Sequence, residues 1–364
     1  MVDGTGDNAR DFAPDEKKDA NISNPLKMNF LAGGDIDNQF KSTVDGQECL
    51  YVRGVGGVTD NKLLKNIRFA LGDLDQQTEA MWKLLEGTYE EGDKLYLVGF
   101  SRGSASARRF ACELDERGVK TTGGKLVEKP PIEFLGCFDT VSMQIKNNFI
   151  KNIGRMVTNG ISKSSVLGEK DGKLPSIVKR AVHNMSLDDN RSKMFPPCYM
   201  DSADDRVVEV WFPGEHGDSG GTYYSKGLPD GSFRFMQEWM ENLDEPLKFI
   251  KNTEIADQSL VIKDYPDVKL DKTKFDVDPD PTDKWHLKDD QIDKPQPRKV
   301  AFVTNEKIVK GKTVKIHESV LDHMEATPDY FVNRNLKKTD FVVVGSLGKT
   351  LEDKTARLKE LIGA

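Results

Sequence analysis

The feature that most constrains this chain is Gly99-Phe100-Ser101-Arg102-Gly103, set between two segments of different character. Before it, Lys94-Leu95-Tyr96-Leu97-Val98 is a compact apolar run with the length and composition of a buried strand. After it, Ser104 to about Arg117 carries helical periodicity, with small residues (Ser104, Ala105, Ala107) at its start and Gly118 at its C-terminal cap. A glycine-flanked serine at a strand-to-helix junction is the pattern of a nucleophile elbow. The sharp turn lifts the hydroxyl above the sheet edge, and the strained backbone demands small neighbours. A serine in an ordinary βα turn would explain the glycines but not both flanks.

The rest of the chain is read around this junction. Strand patterns fall at 28–32, 48–53, 132–138, 207–212 and 341–344, and helical patterns at 64–90, 233–251 and 351–362. Strands alternating with helices predict an α/β protein, with a doubly wound, mostly parallel sheet of the α/β-hydrolase type and helices on both faces. No internal repeat divides it, and one domain over 1–364 is expected. Residues 142–182 read as a candidate cap or lid, and residues 263–300, rich in Asp and Pro, as a polar irregular excursion. Within the lid candidate, Ile145, Phe149, Ile153, Met156 and Val157 form an apolar stripe interleaved with Lys146, Lys151 and Arg155. Such a stripe suits either an anionic lipid surface or the protein's own core.

Composition excludes some classes. The formal charge of −7, from 53 basic and 60 acidic residues, argues against a nucleic-acid partner. No run approaches the roughly 20 apolar residues needed to span a bilayer, and Met1-Val2-Asp3-Gly4 lacks the features of a secretory signal. The expectation is therefore synthesis in the cytoplasm, with any export by a route that reads no signal peptide. Cys49, Cys112, Cys137 and Cys198 are widely spaced and form no CxxC pair, which favours free thiols over metal or disulfide sites. Two apparent motifs also fail. Gly345-Ser346-Leu347-Gly348-Lys349-Thr350 lacks the spacing of a phosphate loop. Asp276, Asp278 and Asp280 are interrupted by Pro279 and Pro281 and lack the calcium-loop Gly and Glu. No metal or cofactor is expected.

A serine nucleophile needs a histidine base and an acid to orient it, in the chain order Ser, Asp or Glu, His for this fold class. Of five histidines, His216 lies in a Gly-rich loop (Pro213 to Gly221) just past the apolar strand 207–212. Asp139 directly follows the strand 132–138, so its carboxylate would emerge at the carboxyl edge of the sheet. Each has an ordinary alternative: Asp139 as a helix N-cap, His216 as a turn residue. His183 and Asp188, close together in Val182-His183-Asn184-Met185-Ser186-Leu187-Asp188, are the reserve pair, and Asp218 is a further candidate acid. For an oxyanion hole, one donor should be the amide of Arg102 and another a glycine-loop amide. Gly4-Thr5-Gly6 and Gly54-Val55-Gly56 both qualify on composition.

Taken together, these segments resemble the catalytic domain of the type VI secretion phospholipase effectors and their relatives, an α/β-hydrolase family long catalogued as a domain of unknown function. The resemblance rests on Asp3-Gly4-Thr5-Gly6, Gly54-Val55-Gly56, Gly99 to Arg108, Phe134 to Val141, His183 to Pro196, Glu209 to Gly221 and Ile316 to Val320. It implies a triad of Ser101, Asp139 and His216, hydrolysis of carboxylic esters (phospholipids in secreted members), and a structural place near the site for His183. The expected partners are an ester or lipid substrate and a membrane surface. The short apolar start before Asp3, and one residue more than the family's DGTGN, are departures that bear on the oxyanion role of Gly4 and Thr5.

Overall fold

The structure is a computed structural model and describes residues 1–4, 22–54, 74–142, 157–158, 161–162, 167–192, 195–263, 265–287, 296–330 and 332–364. Its frame is a parallel sheet of six strands: β1 (Leu95–Phe100), β2 (Ile132–Phe138), β3 (Ala181–Ser186), β4 (Val207–Phe212), β5 (Val314–His317) and β6 (Phe341–Val344). They lie side by side in chain order, each paired in parallel with the next. On the outer side of β1, Val2 forms parallel bridges to both Gly99 and Val52. The chain thus runs outward from Val2 to Val52 and returns on the opposite side of Val2 at β1. That reversal is a topological switch, and in open α/β sheets the crevice at the carboxyl ends beside such a point is where ligands bind.

Strands covered on both faces carry apolar residues on both. Val98, Phe100, Phe134, Val182, Val208 and Val210 pack with α1 (Asn24–Leu31) and α5 (Gly227–Glu241) on one side. Leu97, Leu135, Cys137 and Ala181 pack with α2 (Leu74–Glu86) and α3 (Arg102–Arg117) on the other. Farther along the sheet, Trp211, Ile316 and Val343 meet α6 (Ser319–Ala326) and α7 (Glu352–Ile362). A five-residue helix, α4 (His216–Gly220), follows β4.

Several elements differ from expectation. Residues 28–32, expected as a strand, lie in and just past α1. Ser23 caps this helix by accepting the Leu26 N–H, Pro25 sits in its first turn, and all eight residues are buried. A helix buried on every side loses its amphipathic period, so a short apolar run does not distinguish it from a strand. Residues 48–53 contribute only the bridge at Val52. The helix expected at 64–90 is described as Leu74–Glu86, with 55–73 outside the described residues, and that expected at 233–251 begins earlier and ends at Glu241. β3 and β5 escaped the pattern because His183, Asn184, Lys315 and His317 interrupt their apolar runs.

The candidate lid lies partly outside the described residues, including Ile145, Phe149, Ile153 and Met156. Residues 157–158 and 161–162 pair as a short antiparallel hairpin, whereas from Leu167 onward the segment joins the body: Val178 bridges Ile132 and Ala181 opens β3. The excursion at 263–300 is more ordered than its composition implied. Tyr265–Lys269 pairs with Val261–Ile262, and Phe275 sits 4.5 Å, centroid to centroid, from Phe30 of α1.

This last contact makes α1 part of the main core. Phe30→Ala should therefore destabilise the fold by about 3–5 kcal/mol, as removal of a fully buried Phe does. The check is a urea unfolding curve, whose midpoint should fall while its slope is unchanged.

Candidate active site

At the end of β1 the backbone turns so sharply that Ser101 takes φ 57°, ψ −120°, a region L-residues seldom occupy. The glycines of the motif are required by contact. A Cβ on Gly99 would stand 2.5 Å from the Gly103 backbone, and one on Gly103 would stand 2.4 Å from the Val2 carbonyl. The turn is held by Ser101 N–H donating to the Phe138 carbonyl (2.9 Å) and by Ser104 Oγ donating to the Gly99 carbonyl (2.6 Å). Ser101 therefore projects from the carboxyl edge at the switch point, at the N-terminus of α3. Arg102, the residue after the serine, is the first residue of α3. The Arg102 side chain is largely buried, which lowers its guanidinium pKa to about 10.

His216 and Asp139 complete a chain of contacts. His216 Nε2 lies 2.8 Å from Ser101 Oγ, and His216 Nδ1 lies 2.5 Å from Asp139 Oδ2. Since Asp139 is ionised, Nδ1 carries the proton and Nε2 is left to accept from the serine hydroxyl. The imidazole packs against the rings of Phe100 (4.6 Å) and Phe195 (5.3 Å). Its loop is stiffened by Glu215, the N-cap of α4, which accepts from Gly217 N and forms an ion pair with Arg191.

Asp139 is 1% exposed. Burial pushes its carboxyl up, but the Arg298 guanidinium and the His216 contact outweigh burial and hold it well below the usual carboxylate range. Oδ2 accepts from His216 and from Ser186 Oγ (2.8 Å); Oδ1 accepts from Ser186 N (3.1 Å) and from Arg298 Nη1 (2.5 Å). Ser186 and Arg298 were not singled out from the sequence. Ser186 lies in the His183–Pro196 segment, but Arg298 sits in the polar excursion, and only the folded chain brings it here.

The reserve candidates have other places. His183 is buried; its Nε2 accepts the Thr140 N–H (3.0 Å) and its Nδ1 faces Glu209 (2.9 Å), so it anchors the backbone beside Asp139. Asp188 accepts from Gly214 N, Tyr330 OH and Asn333 N, tying the histidine loop to the chain's last third. Asp218 accepts from Glu215 N and pairs with His286 Nδ1 (2.7 Å). Neither aspartate is on the imidazole. In the Asp3 loop, Asp3 is buried and bonds Ser23 Oγ and Tyr51 OH. Gly4 lies against the serine: a Cβ built on it would be 3.3 Å from Ser101 Cβ. Its N–H, however, donates to Asp3 Oδ1 (2.7 Å). Thr5, Val55 and Gly56 lie outside the described residues. Among the described residues, no cluster of His, Cys, Asp or Glu could hold a metal ion, and no helix is long and apolar enough to cross a membrane.

An α/β sheet carrying a serine on a strained elbow, in contact with a histidine and a buried aspartate, has the architecture of the α/β-hydrolase class. The chain belongs to the family of Tle1-like catalytic domains of type VI secretion phospholipase effectors, whose model matches residues 1–128 and 120–240. No curated protein sequence matches it. Similar solved structures include an uncharacterized protein from Pseudomonas aeruginosa (19% identity, TM-score 0.38, 65% of this chain and 44% of that one). Another is the Tle1 effector bound to the VgrG spike of the type 6 secretion system (21% identity, TM-score 0.35, 62% of this chain and 50% of that one). The chain thus covers half or less of the length of these two proteins.

The buried aspartates also shape stability. Burial raises Asp188 from 3.8 to about 7 and Asp218 from 3.8 to about 6. Between pH 4 and these values the folded chain holds protons that the unfolded chain has released, so both groups lower stability as pH rises through that window. Asp139, with its depressed pKa, acts oppositely and loses its contribution only in acid. Asp188→Asn, measured by urea unfolding at pH 5 and pH 8, should show a smaller fall in stability between the two pH values than the parent.

Proposed function

We propose that this chain hydrolyses carboxylic esters, with lipid acyl esters as the substrate class, through Ser101, His216 and Asp139. The observation that carries the reading is the unbroken relay from Ser101 Oγ to His216 Nε2 (2.8 Å) and from His216 Nδ1 to Asp139 (2.5 Å), set on a strained elbow. Membership in a phospholipase effector family supports the lipid substrate and, with it, delivery by a type VI secretion system and contact with a membrane surface.

In this mechanism His216 Nε2 takes the Ser101 proton as Oγ attacks the ester carbonyl, giving a tetrahedral oxyanion. The Arg102 amide supplies one oxyanion donor. Gly4 spends its N–H on Asp3, so its part is to bring the loop against the serine, and Thr5, which lies outside the described residues, is the candidate for the second donor. His216 then returns the proton to the departing alcohol. Water attacks the acyl-serine by the same route in reverse, releasing the carboxylic acid. Asp139 stays ionised and holds the imidazolium in register.

The test is reaction with a fluorophosphonate, followed by turnover of phospholipid vesicles and short-chain p-nitrophenyl esters. The wild type should label at Ser101, and Ser101→Ala and His216→Ala should not label. Asp139→Asn should lower turnover by about 10³–10⁴, the loss expected when an orienting carboxylate goes. Turnover of short esters with none on vesicles would keep the triad and remove the lipid substrate. An unlabelled wild type would remove the hydrolase reading and leave a binding protein with this fold.

A further inference from the structure

Arg298 is 0% exposed, yet it belongs to the most polar part of the chain and lies beyond residue 240, where the catalytic-domain match ends. Burying a guanidinium is costly unless charge and hydrogen bonds compensate it. Here they do. Nη1 donates to Asp139 Oδ1 (2.5 Å) and to Ser186 Oγ (2.6 Å), Nη2 donates to the Phe195 carbonyl (3.0 Å), and Asp189 stands 3.9 Å away. The two residues bound besides Asp139 are themselves parts of the site: Ser186 holds the same carboxylate, and Phe195 packs on the His216 ring.

From this geometry we infer that Arg298 is a positioning residue for the acid of the site, supplied by the segment that follows the matched catalytic region. The inference rests on the hydrolase reading above. Each carboxylate oxygen of Asp139 has two lone-pair directions, and all four are taken: two by Ser186, one by His216 and one by Arg298. Without Arg298, Oδ1 loses its charged donor, and only Ser186 and His216 are left to hold the carboxylate toward the imidazole. The cation also offsets the charge that His216 feels. Among the described residues, Asp189 also interacts with the imidazole, and Arg191 pairs with both Asp189 and Glu215, the N-cap of the imidazole's helix. Removing Arg298 leaves this set more negative, which favours the protonated imidazole. The base would then be available only at higher pH. The segment around Arg298 is itself anchored, because Asn333 and Asn335 both donate to the Arg298 carbonyl (3.0 and 2.7 Å). Docking of the last third of the chain is thereby coupled to the integrity of the acid.

The experiment measures the rate of fluorophosphonate inactivation against pH for the full-length wild type, Arg298→Gln and Arg298→Lys, with Ser101→Ala as the blank. Arg298→Gln should react at a plateau rate about tenfold or more below wild type, a part of the roughly 10²–10⁴ that a positioned base contributes as a whole. Its acidic limb should lie about one pH unit higher, the size of shift a neighbouring charge produces. Arg298→Lys keeps a cation but not the fork, so its plateau should fall while its acidic limb stays at the wild-type position. A purely structural loss would lower the amplitude in all variants without moving any limb, and would overturn the inference. So would an Arg298→Gln profile that superimposes on wild type. If Arg298→Gln gives no cooperative melt, the lysine variant decides: a plateau equal to wild type overturns the positioning role. A wild type that does not label would bring down the hydrolase reading and this inference together, whereas a labelled wild type with unaltered variants would remove this inference alone.

Discussion

The arrangement of this protein turns on one buried negative charge. A carboxylate at 1% exposure is tolerated only if its oxygens are fully bonded and its charge is matched. Asp139 meets that demand with partners from three other parts of the chain: Ser186 at the end of β3, His216 in the loop after β4, and Arg298 from the long connection before β5. Ser186 and His216 are brought to the carboxyl edge of the sheet by the strands they end or follow, whereas Arg298 is held there by the contacts of its own segment, whose carbonyl accepts from Asn333 and Asn335. The charge thus makes the correct stacking of β2, β3 and β4 a condition for a satisfied core. The same bonds hold the imidazole against Ser101, so the stability and the chemistry of the site share a cause.

Around that charge is a shell of polar contacts that closes the sheet edge. His183 fixes the backbone after Asp139, Asp188 ties the histidine loop to Tyr330 and Asn333, and Asp218 pairs with His286. None of the three touches the serine. Their role is to make a glycine-rich loop rigid enough to hold an imidazole within hydrogen-bonding distance of a hydroxyl. A loop of Pro213-Gly214-Glu215-His216-Gly217 would otherwise have too much conformational freedom for that precision. The cost is visible in the raised pKa values of Asp188 and Asp218, groups whose burial serves position at the expense of their charged forms.

What was legible in the sequence, and what was not, divides along physical lines. The elbow was legible because the constraint is local: the strand, the turn and the helix are contiguous, and the glycines follow from contacts within a few residues and with Val2. Asp139 and His216 were reachable because each directly follows a strand pattern, and parallel strands deliver their following residues to one edge. The strand expected at 28–32 became α1 because a fully buried helix has no polar face to reveal its period. β3 and β5 were hidden by histidines, an asparagine and a lysine whose burial depends on neighbours far along the chain.

By itself, the sequence determined an alternating α/β chain, the serine on its elbow, and the order in which Asp139 and His216 follow it, since these depend on local pattern and on the rule that parallel strands share one carboxyl edge. Only the tertiary structure decided which aspartate meets which histidine, that Gly4 turns its N–H to Asp3, and that Arg298 leaves a polar stretch to reach the acid. The reason is that a buried charge selects its partners by distance in space. For Asp139 and Arg298 the separation along the chain is 159 residues, and no local pattern in either segment carries that information.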